Sequence, residues 1–254
     1  MKTVKAVHAN RGIELAYKKA LMRLIDEMTA SAKYWIKAEF NKNPPEMAQD
    51  ATPSEMMNKA IKSLAARWLV NFEDKAKDIA KKYITRAFTY TDKTFSQALK
   101  ESGFSVEFKM SAAMKDALNA SISENVALIK SIPENYFQKL EGIVMRSYAA
   151  GGDMQQSVKE IQSLYPITKN RAILIARDQN NKATAVTTKA RQLEIGITEA
   201  IWMHSHAGKN PRQDHVAANG KKYNVAEGCK ISGKFILPGQ EINCRCTCRS
   251  VLPF

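Results

Sequence analysis

The first two hundred residues contain no cysteine and a single histidine, His8. The four cysteines and the other three histidines all lie between residues 204 and 248. Because thiols and imidazoles are so scarce in the N-terminal part, a disulfide framework or a cysteine-type zinc site is excluded there. The residues able to bind a soft metal ion or act as nucleophiles are therefore concentrated near the C-terminus.

The sequence also lacks long apolar runs and familiar catalytic motifs. It has no run of about 18 apolar residues, so we expect no membrane span. Its first residues, MKTVKAVHANRG, include basic side chains but no apolar stretch, so we expect no secretory signal. In a reducing cytosol, thiols or metal ligands are favoured over disulfides. Neither a phosphate-binding Gly-x-x-x-x-Gly-Lys-Ser/Thr loop nor a His-Glu-x-x-His motif is present.

The composition is that of a folded, basic protein. Hydrophobic residues make up 44% of the 254 residues, which is enough for a packed core. The net charge is +14, from 39 Lys+Arg against 25 Asp+Glu, and such an excess attracts polyanions. The basic residues are dispersed rather than clustered. The charge is therefore equally consistent with a solvated lysine-rich surface and with non-specific binding to nucleic acid.

Apolar residues recur at helical spacing through most of the chain, which predicts a mainly α-helical protein. A first helix is predicted from Gly12 to Phe40, and Asn43-Pro44-Pro45 ends it. Thr52-Pro53-Ser54-Glu55 has the form of a capping box and predicts the start of a long helix. That helix is predicted to end at Ser102-Gly103 and to bury one stripe, formed by Met57, Ile61, Leu64, Trp68, Phe72, Ile79 and Tyr83.

Prolines and caps divide the remainder of the predicted helical body. The predicted helices run from Ser111 to before Pro133, from there to Gly151-Gly152, from Asp153 to Pro166, and from Thr168 to about Gly196. The last of them carries Asn180 and Thr187 on its inward-facing side. This unusual polarity favours a helix that is only partly buried over one that faces a partner.

After Gly196 the pattern changes to that of short strands and turns. Ala200–Met203 is a predicted strand, and Asn219-Gly220 is a strong hairpin signal. Pro238-Gly239 predicts a further turn. We therefore expect an elongated helical body of about six helices (residues 1–165), followed by a C-terminal domain (residues 166–254). That domain would contain a helix at 168–196 and a small β-rich module rich in cysteine and histidine at 197–254.

The clustered cysteines and histidines predict a metal site in this module. Cys244, Cys246 and Cys248 alternate, so their side chains would share one face of an extended strand. Zinc takes four ligands, and His215 with one upstream histidine would complete a Cys₂His₂ set. We expect His215, Cys244 and Cys246 to face one point, with His206 as the fourth ligand. The alternates are Cys229, Cys248 and His204. Without a metal, the same residues would form a thiol–imidazole cluster.

Catalytic interpretations of the same residues are weaker. Asp214, His215, Glu227 and Glu241 offer donors for the divalent ion of a nuclease, but no spacing fixes them as a set. Cys244 with His215 has the composition of a nucleophile and its base. We therefore expect a protein that is not an enzyme, and we keep a metal-dependent nuclease or hydrolase as the alternative.

Several motifs of the C-terminal part occur in a fixed order. A helix ends at Gly196-Ile197, and the motif residues that follow are Trp202 in a strand, Arg212 and His215 as Arg-x-x-His, Gly220 in a turn, Pro238-Gly239, and Asn243-Cys244-Arg245-Cys246. This order resembles the C-terminal domain of phage Mu F-like minor head proteins, also called phage head morphogenesis proteins. The resemblance covers roughly residues 165–250.

The resemblance implies a role in building the virion of a tailed phage or prophage. The protein would be made in the bacterial cytoplasm and would lie in the virion, at the portal and head interior. Its partners would be the portal protein and other head proteins, with no membrane and no small-molecule substrate. A cytoplasmic, non-specific nucleic-acid-binding protein is a second alternative.

Two further expectations concern particular side chains. Arg212 and Asn243 should bind loop carbonyls and so hold the irregular Lys209–Gln240 segment in place. Double-stranded DNA, if bound, should be bound without sequence preference, because the charge is dispersed and no base-reading motif is visible. The predicted DNA contacts are Lys59, Lys62, Lys75, Lys77, Lys81 and Lys82.

Overall fold

A computed structural model of the chain describes residues 2–42, 52–150, 154–208 and 210–253. Within these residues the protein is mainly α-helical with a small C-terminal group of antiparallel strands, which confirms the predicted fold class. The helices are α1 (Arg11–Lys42), α2 (Pro53–Glu101), α3 (Ala112–Ala149), α4 (Met154–Glu194) and α5 (Gln213–Ala217). The strands are β1 (Glu199–Met203), β2 (Lys222–Asn224), β3 (Cys229–Ile231), β4 (Lys234–Ile236) and β5 (Thr247–Val251).

Several helix ends lie where the sequence predicted them. The capping box of α2 is formed: the Glu55 N–H donates to Thr52 Oγ1 over 3.4 Å, and the Thr52 N–H donates to the Glu55 carboxylate over 3.2 Å. The Ser111 hydroxyl oxygen accepts the Met114 N–H over 3.3 Å and so caps α3. Beyond α2, Gly103 has φ 95°, a left-handed conformation that favours glycine after a helix.

Two predicted helix ends are wrong, because α3 continues through Pro133 and α4 through Pro166. In the part of the chain that the structure describes, four long helices therefore replace the six expected. An internal proline costs about 3 kcal/mol, whereas each large apolar side chain buried beside it contributes about 1.5–3 kcal/mol. Thr168 is not a cap, since its hydroxyl donates to the Leu164 carbonyl within α4. The buried neighbours of Pro133 are Ile129, Ile132, Tyr136, Phe137 and Leu140.

The expected breaks at Asn43-Pro44-Pro45 and Gly151-Gly152, and the Asp153 cap, lie outside the described residues.

Among the described helices, none combines the length and the apolar character needed to cross a bilayer.

The chain forms two compact units, each discontinuous in sequence. Unit 1 contains Met1–Ala16, Ala80–Glu124 and Ala176–Phe254, and unit 2 contains Tyr17–Ile79 and Asn125–Ile175. Each of the four long helices thus contributes one section to each unit. The linear division at residue 165 remains a prediction of domain limits.

Unit 2 is a helical core that includes the predicted stripe residues Met57, Ile61 and Phe72. Tyr17 is buried, and its hydroxyl donates a hydrogen bond to Asn125 Oδ1 over 2.8 Å. The fully buried side chains of this unit include Leu21, Ile25, Met28, Met57, Ile61, Phe72, Ile129 and Leu140.

Unit 1 contains all of the described strands. β1 is central in a three-stranded antiparallel sheet of order β2-β1-β5, in which Trp202 lies opposite Cys248. β3 and β4 form a separate antiparallel pair. An isolated bridge joins Thr3 to Val251, and the Val4 N–H donates to the Ser250 carbonyl over 2.9 Å.

The predicted turn at Asn219-Gly220 is present, but it does not connect two strands. It leads from α5 into β2, so that α5 lies between β1 and β2 along the chain. Gly220 has φ 81°, and its N–H donates to the Trp202 carbonyl over 2.8 Å. The glycine turn therefore attaches α5 to the central strand.

The polar face of α4 is buried, so partial exposure of the helix, which was the expected explanation, is not the reason for its polarity. Asn180 donates to the Asn10 carbonyl over 2.9 Å, and Gln192 donates to the Ser250 hydroxyl over 2.7 Å. This face is polar because its side chains form hydrogen bonds with irregular segments of unit 1, with side chains of neighbouring helices and with carbonyls of α4 itself. Its buried residues are Asp178, Gln179, Asn180, Thr184, Thr187, Thr188, Arg191 and Gln192.

Candidate metal centre

One histidine and two cysteines meet in the interior of unit 1. His215 lies on α5, and its Nδ1 is 3.5 Å from Cys244 Sγ and 3.8 Å from Cys246 Sγ. All three residues are buried, and their ligand atoms lie within 4.8 Å of one another. Trp202 packs edge-on against the imidazole, with ring centroids 5.3 Å apart. The structure therefore brings together the three residues that the sequence singled out first.

The cysteines do not share one face of a strand, so that part of the prediction is wrong. β5 begins only at Thr247, and Cys244 and Cys246 precede it in an irregular segment. Asn243 adopts φ 60°, and the Cys244 N–H donates to the Glu241 carbonyl over 2.9 Å. This tight turn directs Cys244 and Cys246 to the same imidazole. Cys248 lies on β5 and accepts a hydrogen bond from Gln192 over 3.6 Å.

The Pro238-Gly239 turn lies against this segment. Gly239 has φ 86°, and a Cβ at this position would be 3.4 Å from the carbonyl oxygens of Asn181 and Cys246. Both the backbone conformation and the close packing favour glycine here. The turn thus holds the cysteine segment close to α4.

A carboxylate and a guanidinium fix the imidazole from its other side. His215 Nε2 is 3.1 Å from Glu241 Oε2, and Arg212 Nη1 donates to the same oxygen over 2.9 Å. Arg212 Nη2 also donates to the Ile242 carbonyl over 3.0 Å, as expected of a side chain that holds the loop. Glu241 therefore joins the two residues of the Arg-x-x-His motif and sets the orientation of the ring.

The polar face of α4 anchors the turn that precedes the cysteines. The Asn243 N–H donates to Asp178 Oδ1 over 2.9 Å, and Asn181 Nδ2 donates to the Cys244 carbonyl over 2.9 Å. The Asn243 side chain accepts from Arg177 over 3.4 Å. Asn243 thus contacts α4 instead of donating to loop carbonyls as predicted. Burial raises the pKa of Asp178, although the hydrogen bond from Asn243 opposes that shift.

The two thiols strongly influence each other. The hydrogen bond with Cys246 lowers the pKa of Cys244 to about 6, and backbone N–H groups and the nearby His215 act in the same direction. The same bond raises the pKa of Cys246, and burial adds to that rise. The pair therefore carries one negative charge near neutral pH.

The structure places the other predicted ligands elsewhere. His206 is exposed, and its N–H donates to His204 Nδ1 over 3.2 Å. Cys229 is buried on β3 in an apolar cluster, where burial raises its pKa. Cys248 is likewise held by its own contacts. Within the described residues, the close group of ligand atoms therefore consists of those of His215, Cys244 and Cys246, which lie within 4.8 Å of one another.

A cavity of about 320 Å³ lies beside these three ligands. His204 is among its lining residues, and burial lowers the pKa of this histidine. Of the four residues proposed for a nuclease, His215 and Glu241 lie together, whereas Asp214 accepts a hydrogen bond from Ser232 over 2.8 Å and Glu227 is exposed. The arrangement has the donor set of a soft metal ion and space for one further small ligand.

The comparisons with known proteins concern this same part of the chain. Residues 138–249 match the model of the phage Mu protein F like family. The match confirms the resemblance inferred from the motifs and extends it upstream into α3.

A Haemophilus influenzae protein described as uncharacterized is 27% identical to this chain over 257 residues. The alignment covers 95% of this chain and 54% of the relative, so the chain spans about half the length of that protein. No solved structure gives a significant match.

Within the Mu F-like region, the motif residues surround the candidate centre. Trp202 packs on the imidazole, Gly220 attaches α5 to β1, and the Pro238-Gly239 turn packs behind the cysteines. The sequence did not identify Glu241 as the partner of Arg212. Its position three residues before Cys244 was the available signal.

The lysines predicted to contact DNA are all exposed on α2. Lys75 approaches Glu27 with a separation of 3.5 Å, and Lys82 lies over the ring of Tyr83 at 5.6 Å. Exposure fits both a solvated helix face and a polyanion-binding face.

Proposed function

We propose that this protein acts in head morphogenesis of a tailed phage or prophage, as a minor head component at the portal and head interior. The observation that carries the proposal is the Mu F-like match over residues 138–249. The proposed partners are the portal protein and other head proteins. The protein is proposed to act without catalysing a reaction.

Deleting the gene in an inducible phage or prophage tests this role. We expect defective or non-infective particles, and we expect peptides of the protein in purified wild-type virions by mass spectrometry. A silent recoding of the same gene is the control for effects on neighbouring genes. Full-sized, DNA-filled and infective virions made without the protein would refute the proposal.

We further propose that the protein binds packaged double-stranded DNA without sequence preference. A net charge of +14 supports this, as do the exposed lysines of α2. Lysine–phosphate contacts release counterions, so the affinity should fall steeply with salt. Each lost phosphate contact should weaken binding to all sequences similarly and reduce the salt slope by about 1.

A charge-matched pair of variants tests the DNA contacts. Gel-shift titrations at two salt concentrations would compare the wild type with a variant in which the six lysines of α2 are glutamine. The control replaces six exposed lysines elsewhere, namely Lys5, Lys19, Lys115, Lys221, Lys230 and Lys234. Equal loss of affinity in both variants would refute the assignment of the DNA contacts to the α2 lysines. Absence of binding at low salt would refute DNA binding altogether.

The nuclease alternative is tested with the same protein. Incubation with double-stranded DNA and Mg²⁺, Mn²⁺ or Zn²⁺ should leave the DNA intact. Divalent-ion-dependent cleavage that is lost in a His215→Ala variant would overturn the proposal of a non-enzymatic role.

A further inference from the structure

The spacing of the three buried ligand atoms matches that around a tetrahedral zinc ion. Zn–S bonds of about 2.3 Å and Zn–N bonds of about 2.0–2.1 Å, at a tetrahedral angle, place sulfur and nitrogen about 3.6 Å apart. The observed separations from His215 Nδ1 are 3.5 Å to Cys244 Sγ and 3.8 Å to Cys246 Sγ. The side chains could therefore bind an ion with little rearrangement.

The hydrogen bonding of His215 leaves the correct nitrogen available. Its Nε2 is 3.1 Å from Glu241 Oε2, and a carboxylate oxygen accepts a hydrogen bond. With its proton on Nε2, the imidazole presents the lone pair of Nδ1 to an ion bound between Nδ1 and the two sulfurs. A ligand imidazole whose other nitrogen donates to a carboxylate is the usual arrangement in protein metal sites.

The charge of the cluster also favours a divalent ion. Zinc binding would displace the thiol proton that the pair still holds. The resulting two thiolates and neutral imidazole carry a charge of about −2, which is costly to bury without compensation. A divalent ion neutralises that charge, and thiolate with imidazole favours zinc over the oxygen-preferring Mg²⁺ and Ca²⁺.

We propose that His215 Nδ1 and the thiolates of Cys244 and Cys246 bind one zinc ion, whose fourth ligand is a water molecule from the adjacent cavity. Glu241 orients the imidazole, and Arg212 holds Glu241. The ion would join α5 to the segment before β5. This inference stands on the local geometry and does not depend on the proposed role in the phage head.

The fourth position is assigned to water because, among the described residues, only the ligand atoms of His215, Cys244 and Cys246 lie within 4.8 Å of one another. Cys229 belongs to the same buried cluster as the two cysteines but not to this close group, and His206 is exposed. His204 lines the cavity, but its Nδ1 accepts the His206 N–H over 3.2 Å. Three protein ligands with one open position leave room for a small exogenous ligand.

Metal analysis of the full chain is the first test. After exposure to Zn²⁺ and dialysis into metal-free buffer, we expect about one zinc ion per chain, measured by inductively coupled plasma mass spectrometry. His215→Ala, Cys244→Ser and Cys246→Ser should lose it, whereas the matched controls Cys229→Ser and His206→Asn should retain it. Circular dichroism would check that each variant is folded.

Cobalt substitution of the wild type gives a second test that needs no variant. Bound Co²⁺ should show the intense visible bands of a tetrahedral ion, together with a thiolate-to-metal charge-transfer band. Glu241→Ala should keep these bands but weaken metal affinity by about 10–100-fold, as loss of an orienting partner does. Azide should shift the visible bands by replacing the water.

Three results would overturn the proposal. One is a wild type that binds no zinc or cobalt. Another is a Cys244→Ser/Cys246→Ser double variant that keeps its zinc. The third is loss of zinc in Cys229→Ser or His206→Asn with the fold intact, because that would place the ligand set elsewhere. In the first case the residues form a metal-free thiol–imidazole cluster.

Discussion

Replacing Arg191 by methionine should destabilise unit 1 strongly. The side chain is 1% exposed and makes two hydrogen bonds to the Asp92 carboxylate, over 2.8 and 2.7 Å. It also donates to Glu194 over 2.6 Å and to the Lys109 carbonyl over 2.7 Å. Methionine fills similar space but leaves these acceptors without their donor. The perturbation therefore isolates a buried polar network on α4.

The expected magnitude follows from the exposure of the partners. Removing one partner of a buried ion pair costs about 3–5 kcal/mol. The side chains of Asp92 and Glu194 are 24% and 33% exposed, so water can partly rehydrate them. We therefore expect Arg191→Met to lower the free energy of unfolding by about 3 kcal/mol, the lower end of that range. Arg191→Lys keeps the charge but not the two-pronged geometry, and should lose about 1.5 kcal/mol.

Urea unfolding followed by circular dichroism would measure these changes. A double-mutant cycle with Asp92→Asn gives the coupling between the two side chains, which we expect to exceed about 1.5 kcal/mol. A coupling below about 0.5 kcal/mol would show that the two groups act independently and would refute the reasoning.

Two other perturbations have definite expected outcomes. Gly239→Ala should cost about 1–3 kcal/mol of stability by thermal unfolding, because φ at this position is 86° and an L residue is strained there. A cost below about 0.5 kcal/mol, the usual size of a surface substitution, would contradict this. Because burial raises the pKa of Asp178, the folded state favours the protonated carboxyl, and ionisation destabilises it as the pH rises beyond the ordinary value of 3.8. Asp178→Asn should therefore gain stability relative to the wild type with rising pH in denaturation curves; a constant difference would contradict the assignment.

Local signals in the sequence were sufficient for much of the fold. Thr52 and Ser111 cap their helices as predicted, because a capping bond depends on residues within one turn. The prediction that helices end at Pro133 and Pro166 was wrong because it used local signals alone. The cost of Pro133 is local and visible in the sequence, whereas the burial of Tyr136 and Phe137 that outweighs it depends on the tertiary structure.

The candidate centre could be predicted only in part. Segregation of cysteine and histidine indicated His215, Cys244 and Cys246, and the structure brings them together. The fourth position and the orienting carboxylate could not be predicted, because they depend on a turn. Asn243 adopts a positive φ that no spacing rule signals, and this turn directs the cysteines away from a common strand face.

The polar face of α4 was misinterpreted because the hydrogen-bond partners of its side chains cannot be recognised in the sequence. Asn180 and Thr187 on an inward face suggested exposure, because polar residues are seldom buried without partners. Asn180 donates to the Asn10 carbonyl, which belongs to an irregular segment far away in sequence, and Thr187 donates to the Ala183 carbonyl within α4. Backbone acceptors of this kind leave no signature in side-chain periodicity.

The pairing of Val4 with Ser250 has a consequence for how the protein is made. Nearly the whole chain separates these residues, yet the Val4 N–H donates to the Ser250 carbonyl over 2.9 Å, and Val4 packs with Leu252. During synthesis Val4 emerges long before Ser250, so the two residues cannot pair until the last residues of unit 1 have been made. Contacts this distant in sequence form slowly because the connecting loop must close first. Unit 1 should therefore reach its final form only after synthesis has passed Leu252, although Val4 can pack against Phe95 and Leu99 before then.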